Sequence, residues 1–491
     1  MLRLIVAAAA VLLAALAGFV GYRTYSFTAP APPAEATIPD LASYDIDVGA
    51  AARHLGEAIR FRTVSLVNES DDRAPFLQFH AWMQQTYPAF HAATLREMFG
   101  GLSLLYTWEG TDPAQPPILL LAHQDVVPVP EDTLEQWVVD PFAGVERDGA
   151  IWGRGSIDDK GSLVALLEAA EVLAARGWRP ARTVMFAFGH DEELGGAGAR
   201  QIAAELERRG VRAWFVLDEG MVTLASHPLT NGPASMIGVS EKGFATLRIR
   251  AVGQPGHSSM PPPETAISLV AEAVGRVHDM PIDRRLEGGP ALDMMRALAP
   301  ELPTMTRVAV ANEWLFAPIL RRQMAESPPA VALLGTTVAP TVISGGSRAN
   351  VLPGEAEASI NFRIHPRDTP DDLMARAQEA IAGLEGVTLE WDGEPRPASA
   401  VSSTTSSSYA LIAALARAAI PETPVAPALV IAGTDSRNYE AVAENTYRFQ
   451  PILLTDDDLA GVHGLNEHLS RANFERLIQF YAALMEAGAT Q

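Results

Sequence analysis

The chain has 491 residues, more than one hydrophobic core usually serves, so two globular domains are expected. Its 48% hydrophobic and 20% charged composition is that of a folded protein, and a formal net charge of −22 argues against nucleic acid or an anionic membrane surface as a binding partner. With no cysteine, disulfides and thiolate metal ligands are excluded, and any metal must sit on His, Asp and Glu.

Residues 1–23 read as a signal or membrane-anchor segment. Leu4 to Val20 is an almost unbroken apolar run flanked by Arg3 and Arg23, with a length between a signal-peptide core and a spanning helix. Ala15-Leu16-Ala17 could serve as a cleavage site; uncleaved, the run remains as a single anchor that attaches the protein to a membrane. Either reading exports the rest of the chain to a periplasmic or extracellular location. A Pro/Ala-rich tether, residues 24–42, follows.

From 43 to 238, apolar runs alternate with helical patterns. Pro117–Ala122, Thr183–Gly189 and Trp214–Leu217 are continuous apolar strands of the kind buried on both faces of a parallel sheet. Between them Leu163, Leu166, Leu167, Ala170 and Leu173 fall at helical spacing. After Gly238 the period changes. Ala245, Leu247, Ile249 and Ala251 alternate with polar residues, as do Ala356, Ala358, Ile360, Phe362 and Ile364. With helices over 264–277 and 370–382, the second capped by Thr369, and strands near 336–343 and 387–391, the order is β-α-β-β-α-β, that of a ferredoxin-like domain. Residues 280–335 do not fit this order and read as a helical insertion. Beyond 400 the α/β pattern resumes. The expected fold is thus α/β, with a mixed, mainly parallel-sheet catalytic domain (43–238 and 400–491) and an inserted ferredoxin-like α+β lid or dimerisation domain (239–399).

The strands of the first region end in chemistry. Pro117–Ala122 runs into His123-Gln124-Asp125, Thr183–Gly189 into His190-Asp191-Glu192-Glu193, and Trp214–Leu217 into Asp218-Glu219. Ligands of open α/β sheets collect at the carboxyl ends of strands, so these clusters should converge. A fourth cluster, Gly153 to Gly161 with Asp158-Asp159-Lys160, leads into a helix; a fifth, His463-Gly464 with Asn466-Glu467-His468, lies near the C-terminus. Singly, each has a bland reading: a strand-end histidine is usually a hydrogen-bonded structural group, and Asp158-Asp159 before a helix compensates its dipole. Jointly, carboxylates recurring at the strand ends of one sheet are costly to bury without a counter-cation. Imidazole and carboxylate donors suit zinc, with manganese or cobalt as alternatives. Lys160 and Lys242 are the only lysines, and the place of Lys160 inside the cluster suggests that an ammonium specifically is wanted there.

The motifs HQD (123–125), GRGSIDDKG (153–161), DEELGG (191–196), LDEG (217–220) and GVHGLNEH (461–468) resemble those of the dinuclear zinc carboxypeptidase–aminoacylase family, and Gly433-Thr434-Asp435-Ser436-Arg437 points to its carboxypeptidase S branch, which includes secreted N-fatty-acyl amino acid hydrolases. The resemblance implies two zinc ions bridged by Asp158, one completed by His123 and Asp218, the other by Glu193 and His463. It implies Glu192 as general base, Asp125 as a group orienting His123, and a cis bond between Asp158 and Asp159. On the lid it implies His257 near the developing oxyanion, supplied in relatives often from a partner subunit in a homodimer formed through the lid, and Asn350 and Arg363 as substrate-holding residues. A guanidinium can read a free carboxylate in bidentate fashion. Asn438 departs from the histidine that relatives carry after Asp-Ser-Arg, which bears on substrate preference.

The expected activity is therefore metal-dependent hydrolysis of an amide next to a free carboxylate, on a small molecule or peptide. A small-acyl deacylase or dipeptidase of the same family, an aminopeptidase and a non-catalytic binding module are the competing readings. The intact ligand set and Glu192 weigh against the last.

Overall fold

The structure is a computed structural model and describes residues 1–27, 36–65 and 73–490. Part of the expected tether, residues 28–35, lies outside the described residues. Helix α1 (Leu2–Ser26) extends the N-terminal apolar run by a turn and a half at its polar end. It is long and apolar enough to cross a membrane, and none of it is buried. Helix α2 (Val48–Arg60), capped by the Asp47 side chain, packs its Ala51, Leu55 and Ile59 stripe into the main core. Strands β1 (Leu95–Phe99) and β2 (Ser103–Trp108) form an antiparallel hairpin. Then come β3 (Ile118–His123), helix α3 (Lys160–Ala175), β4 (Val184–Gly189), β5 (Phe215–Asp218) and β6 (Ala234–Glu241). Strand β3 is buried at every position, as its unbroken apolar sequence requires, because helices such as α3 cover the sheet.

The chain next leaves this sheet for a second one. Strand β7 (Gly243–Val252) is followed by a short strand β8 (Gly256–His257) and helix α4 (Ala266–His278), which has a Thr265–Ser268 capping box. After the insertion come β9 (Thr337–Gly345), β10 (Val351–Leu352), β11 (Glu355–Ile364), a helix over Pro370–Ala380 capped by Thr369, and β12 (Val387–Trp391). The four long strands lie in the order β9-β11-β7-β12 with every pairing antiparallel, which is the ferredoxin-like arrangement. Every second residue of β7 and β11 enters a separate core with Leu269, Val270 and Leu373.

The insertion between α4 and β9 is helical, and includes α5 (Thr304–Ala311) and α6 (Glu313–Met324). Its core of Leu298, Val310, Leu320, Met324 and Leu334 closes on Ala234 and Met236 of β6, so this segment packs on the first sheet although it interrupts the second. Back in the first sheet, β13 (Val425–Val430) pairs with β6 in parallel and β14 (Thr446–Arg448) lies between β5 and β6. Among the described residues that sheet has ten strands, with β4, β3, β5 and β14 side by side and parallel. Their shared direction brings the carboxyl ends of β3, β4 and β5 to one edge.

Candidate active site

The register pairs His123 with Gly189 and Leu120 with Leu217, so the last residues of three neighbouring strands sit together. The Asp158 carboxylate, just before α3, meets them from the side, across a cis peptide bond to Asp159. His123 Nε2 lies 2.8 Å from its Oδ1 and His463 Nε2 lies 3.0 Å from its Oδ2. His463 also approaches Glu193 Oε2 at 3.3 Å. It reaches this point from a turn in which its own backbone is left-handed, φ 57°. One carboxylate is thereby spanned by two imidazoles from distant parts of the chain. Ligand atoms of His123, Glu192 and Glu193 lie within 4.8 Å of one another, as do those of Asp158, Glu193 and His463. Asp218 belongs to neither trio. Its carboxylate accepts from Glu219 N at 2.9 Å and Ser436 N at 2.8 Å.

Asp125 braces two clusters at once. Its oxygens accept from the backbone amides of Glu192 and Glu193, each at 3.2 Å, and Oδ1 lies 3.3 Å from His123 Nδ1. The imidazole is therefore held on one nitrogen and free on the other to serve Asp158, the arrangement of a metal-binding histidine.

The electrostatics are those of a site short of positive charge. Burial pushes the Glu192 carboxyl well above its ordinary range, and the neighbouring Asp435, Asp158 and Asp125 add to this. Burial pushes Asp218 up to about 6. Burial alone would lower His123 and raise Asp158. The contacts win: Asp125 and Asp158 hold His123 well above its usual value, and His123 and His463 hold Asp158 below the usual carboxylate range. Hydrogen bonds to Asp158 and Glu193 raise His463 to about 10. Among the described residues no Arg or Lys forms an ion pair with Asp158, Glu192, Glu193 or Asp218. Among the described residues, the buried Glu193 Oε1 and Asp435 Oδ2 have no hydrogen-bond partner. Oxygen and imidazole donors, crowded and partly unsatisfied, fit a divalent cation.

The lid residues stand apart from this cluster. His257 and Asn350 are brought together: Ser258 N donates to Asn350 O at 3.2 Å where β8 pairs with β10. His257 is exposed, and its Nδ1 bonds to Ser259 two residues on. Arg363, on β11, is half-buried with its guanidinium over the Phe244 ring, 5.0 Å from the centroid. Among the described residues, no hydrogen bond or ion pair joins these three to the histidine–carboxylate cluster.

Several supporting residues carry no role in the sequence reading. Glu467 is fully buried and accepts from Arg154 Nη1 (2.7 Å) and from the backbone amides of Gly155 (3.0 Å), Ile157 (2.8 Å) and Asp158 (3.1 Å). It ties the turn carrying Asp158 to the turn carrying His463. The buried Glu241–Arg448 pair, 2.7 Å, holds Ser436 through a 2.9 Å bond, and Ser436 N in turn holds Asp218. The Asp435 carboxylate lies so close to Gly189 and Gly196 that neither position has room for a Cβ. Glu467 and Asp435 stand inside the GVHGLNEH and GTDSR motifs, and being the lone acid of each motif was the available signal. The Lys160 amino group does not reach the cluster but serves the backbone: its Nζ donates to Ala58 O at 3.0 Å and to Phe61 O, at the end of α2. Asn438 donates to Asp435 O at 3.0 Å.

The sequence pattern of peptidase family M20/M25/M40 matches residues 119–487. The chain is 37% identical over 439 residues to the N-fatty-acyl-amino acid synthase/hydrolase PM20D1 of Xenopus tropicalis, covering 88% of this chain and 85% of that protein. It is 37% identical over 478 residues to the probable carboxypeptidase S-like 2 of Dictyostelium discoideum, covering 94% and 90%. In fold it is similar to an M20 family metallo-carboxypeptidase, Sso-CP2, from Sulfolobus solfataricus, with TM-score 0.65, 16% identity, and 90% of this chain and 99% of that one covered. Human carnosine dipeptidase 1 gives TM-score 0.64, 15% identity, and 93% and 100% coverage.

Proposed function

The chain belongs to peptidase family M20/M25/M40 and is a hydrolase, and within that family we propose that it is a di-zinc enzyme cleaving the amide bond of an N-acyl amino acid or of a peptide's C-terminal residue. The observation that carries this reading is the Asp158 carboxylate, approached on one oxygen by His123 and on the other by His463, with Glu192 and Glu193 alongside. In this reading Asp158 would serve both cations, with His123 and Asp218 helping to hold one and Glu193 and His463 the other. Bound there, a pair of zinc ions (manganese or cobalt are the alternatives) would supply Lewis acidity, acidifying water and polarising the scissile carbonyl.

The protein's own groups do the rest. Glu192 is buried and pushed up in pKa, which suits a base that takes the proton of the attacking water and returns it to the departing amine nitrogen. Asp125, gripping the amides of Glu192 and Glu193, fixes which acid faces the metals and which faces the water. His257, on the lid, steadies negative charge developing on the carbonyl oxygen, and Asn350 and Arg363 hold the substrate, the guanidinium pairing with its free carboxylate. His257 is contributed from outside the body's own cluster, by closure of the lid or by a second chain. The edge strand β9, with Val342 and Ile343 exposed, offers the surface for a homodimer. The apolar helix α1 fits export, as a cleaved signal or as an uncleaved anchor with the body on the outer side; protease accessibility in intact cells tests that topology.

Metal analysis of protein purified without chelator tests the reading. About two equivalents of transition metal per chain are expected from the dinuclear arrangement, together with hydrolysis of N-acyl amino acids and loss of activity when the carboxylate is amide-capped. Fully active protein free of transition metal would sink it.

A further inference from the structure

The insertion carries an apolar face that its own core does not use. Trp314, Leu315, Pro318, Ile319 and Arg322 recur along one side of α6, at spacings that share a helical face. Trp314 is 50% exposed, Ile319 60%, and Met305 on α5 81%. Leu320 and Met324 meanwhile point into the insertion core with Val310.

The same two helices hold the emerging end of α1. Asn312, buried between α5 and α6, donates through Nδ2 to Thr24 Oγ1 at 3.0 Å. The Trp314 ring meets Phe19 edge-on, with centroids 6.0 Å apart. Residues 1–19 are exposed throughout, while Val20, Arg23, Thr24 and Phe27 are half-buried, so among the described residues α1 touches the body at its end. The apolar run Leu4–Val20 stops where Phe19 meets Trp314, and the polar Thr24–Asn312 contact follows about a turn beyond, at ~1.5 Å of rise per residue. In a bilayer that α1 crosses, Trp314 would therefore stand at the boundary between hydrocarbon and headgroups, the depth that tryptophan favours.

We infer that the outward face of α5 and α6, with Met305, Trp314 and Ile319, rests in the interfacial layer of the membrane that α1 spans, forming a second contact that fixes how the enzyme sits on that surface. The inference rests on the reading of α1 as an uncleaved anchor. The net charge of −22 opposes capture of an anionic surface from solution. The anchor removes that obstacle, because it already holds the patch at high effective concentration beside the lipid.

The chain has no cysteine, so one introduced thiol is unique. Full-length Ile319→Cys, Met305→Cys, Leu12→Cys and Leu95→Cys proteins, all changed at exposed positions, would each carry an environment-sensitive fluorophore. They would be reconstituted in phosphatidylcholine–phosphatidylglycerol vesicles with nitroxides placed at the headgroup boundary or deep in the acyl chains. Leu12 should be quenched most by the deep nitroxide. Ile319 and Met305 should be quenched most by the shallow one. Leu95, on the edge strand of the main sheet, should be quenched by neither. Quenching at Leu12 with none at Ile319 and Met305 overturns the inference and leaves the anchor standing. No quenching at Leu12 overturns the anchor reading and the inference with it. Quenching at Leu95 as strong as at Ile319 means general adsorption and also overturns it.

Discussion

The two halves of the proposed site are built in contrasting ways. On the body, three acidic groups are each held by several donors: Asp158 by two imidazoles, Asp125 by two backbone amides beside His123, Glu467 by a guanidinium and three amides. On the lid, His257 and Asn350 are exposed and, among the described residues, bond within the β8–β10 pair and its turn, and Arg363 rests on a single aromatic ring. The body owes its geometry to a buried network, which costs no reorganisation when substrate arrives. The lid side must acquire its geometry on closure or association. If so, changes on the two sides should fail in different ways: metal and proton chemistry on one, substrate reading on the other.

The largest effect should follow from Glu192→Gln, which keeps the side chain's size and removes its basicity. Turnover should fall at least about a hundredfold with metal content unchanged. Loss of metal instead would exchange the roles of Glu192 and Glu193.

Arg363→Lys tests the other half. It keeps the charge but loses the planar fork, and with it the stacking on Phe244. For an N-acyl amino acid kcat/KM should weaken by roughly 1.5–3 kcal/mol, the range of charge-assisted hydrogen bonds. An amide-capped substrate, already poor, should barely change, and metal content should hold. Equal losses on both substrates would show that Arg363 does not read the carboxylate and would favour an aminopeptidase.

Glu467→Gln touches no substrate, yet it should behave as a body mutation. Removing its charge unpairs Arg154 and slackens the link between the Asp158 and His463 turns. Metal affinity, measured by chelator competition, should drop roughly ten- to a hundredfold, as for other groups that support metal ligands. Glu467→Asp should recover part of it. Unchanged affinity in both variants would break the claim that the body's geometry is imposed by its network.

The last effect is one of pH, and it concerns the lid's attachment. Burial, with Arg367 and Lys242 nearby, pushes His365 down to about 3 from its ordinary 6.5. Its folded value lies below the unfolded one, so the stability it contributes is complete above pH 6.5 and is lost as acid is added. The loss should approach about 1.4 kcal/mol per pH unit below 6.5, for one proton. His365→Gln should flatten that slope in thermal melts between pH 6.5 and 4. An unchanged slope would place the acid sensitivity elsewhere.

The contrast also separates what could be read along the chain from what could not. His123, Asp158, Glu193 and Asp218 belong to clusters at the ends of apolar runs or at a helix start, so periodicity locates the clusters and their convergence at one sheet edge follows from parallel strands, while the choice among neighbouring acids comes from the family resemblance. The lid was legible because β7 and β11 alternate with period two. The hairpin of β1 and β2 was not, since it lacks both a long apolar run and a clean alternation. Nor were Glu241 and Arg448, 207 residues apart, or Glu467 and Arg154, 313 apart. Such pairs are made by the fold, and each partner looks like a solvated charge until it is seen buried. The packing of the insertion on β6 was hidden for the same reason.

The two lysines carry one more consequence. Lys160 and Lys242 are fully enclosed, each ammonium spent on carbonyls, those of Ala58 and Phe61 for one and of Ala332 and Gly335 for the other. Every basic side chain the folded protein shows to solvent is therefore an arginine or a histidine. Reagents that attack primary amines should find the α-amino group and little else until the chain unfolds. Amine labelling becomes a direct optical gauge of unfolding, while amine-directed cross-linkers should fail to capture any assembly of folded chains through lysine.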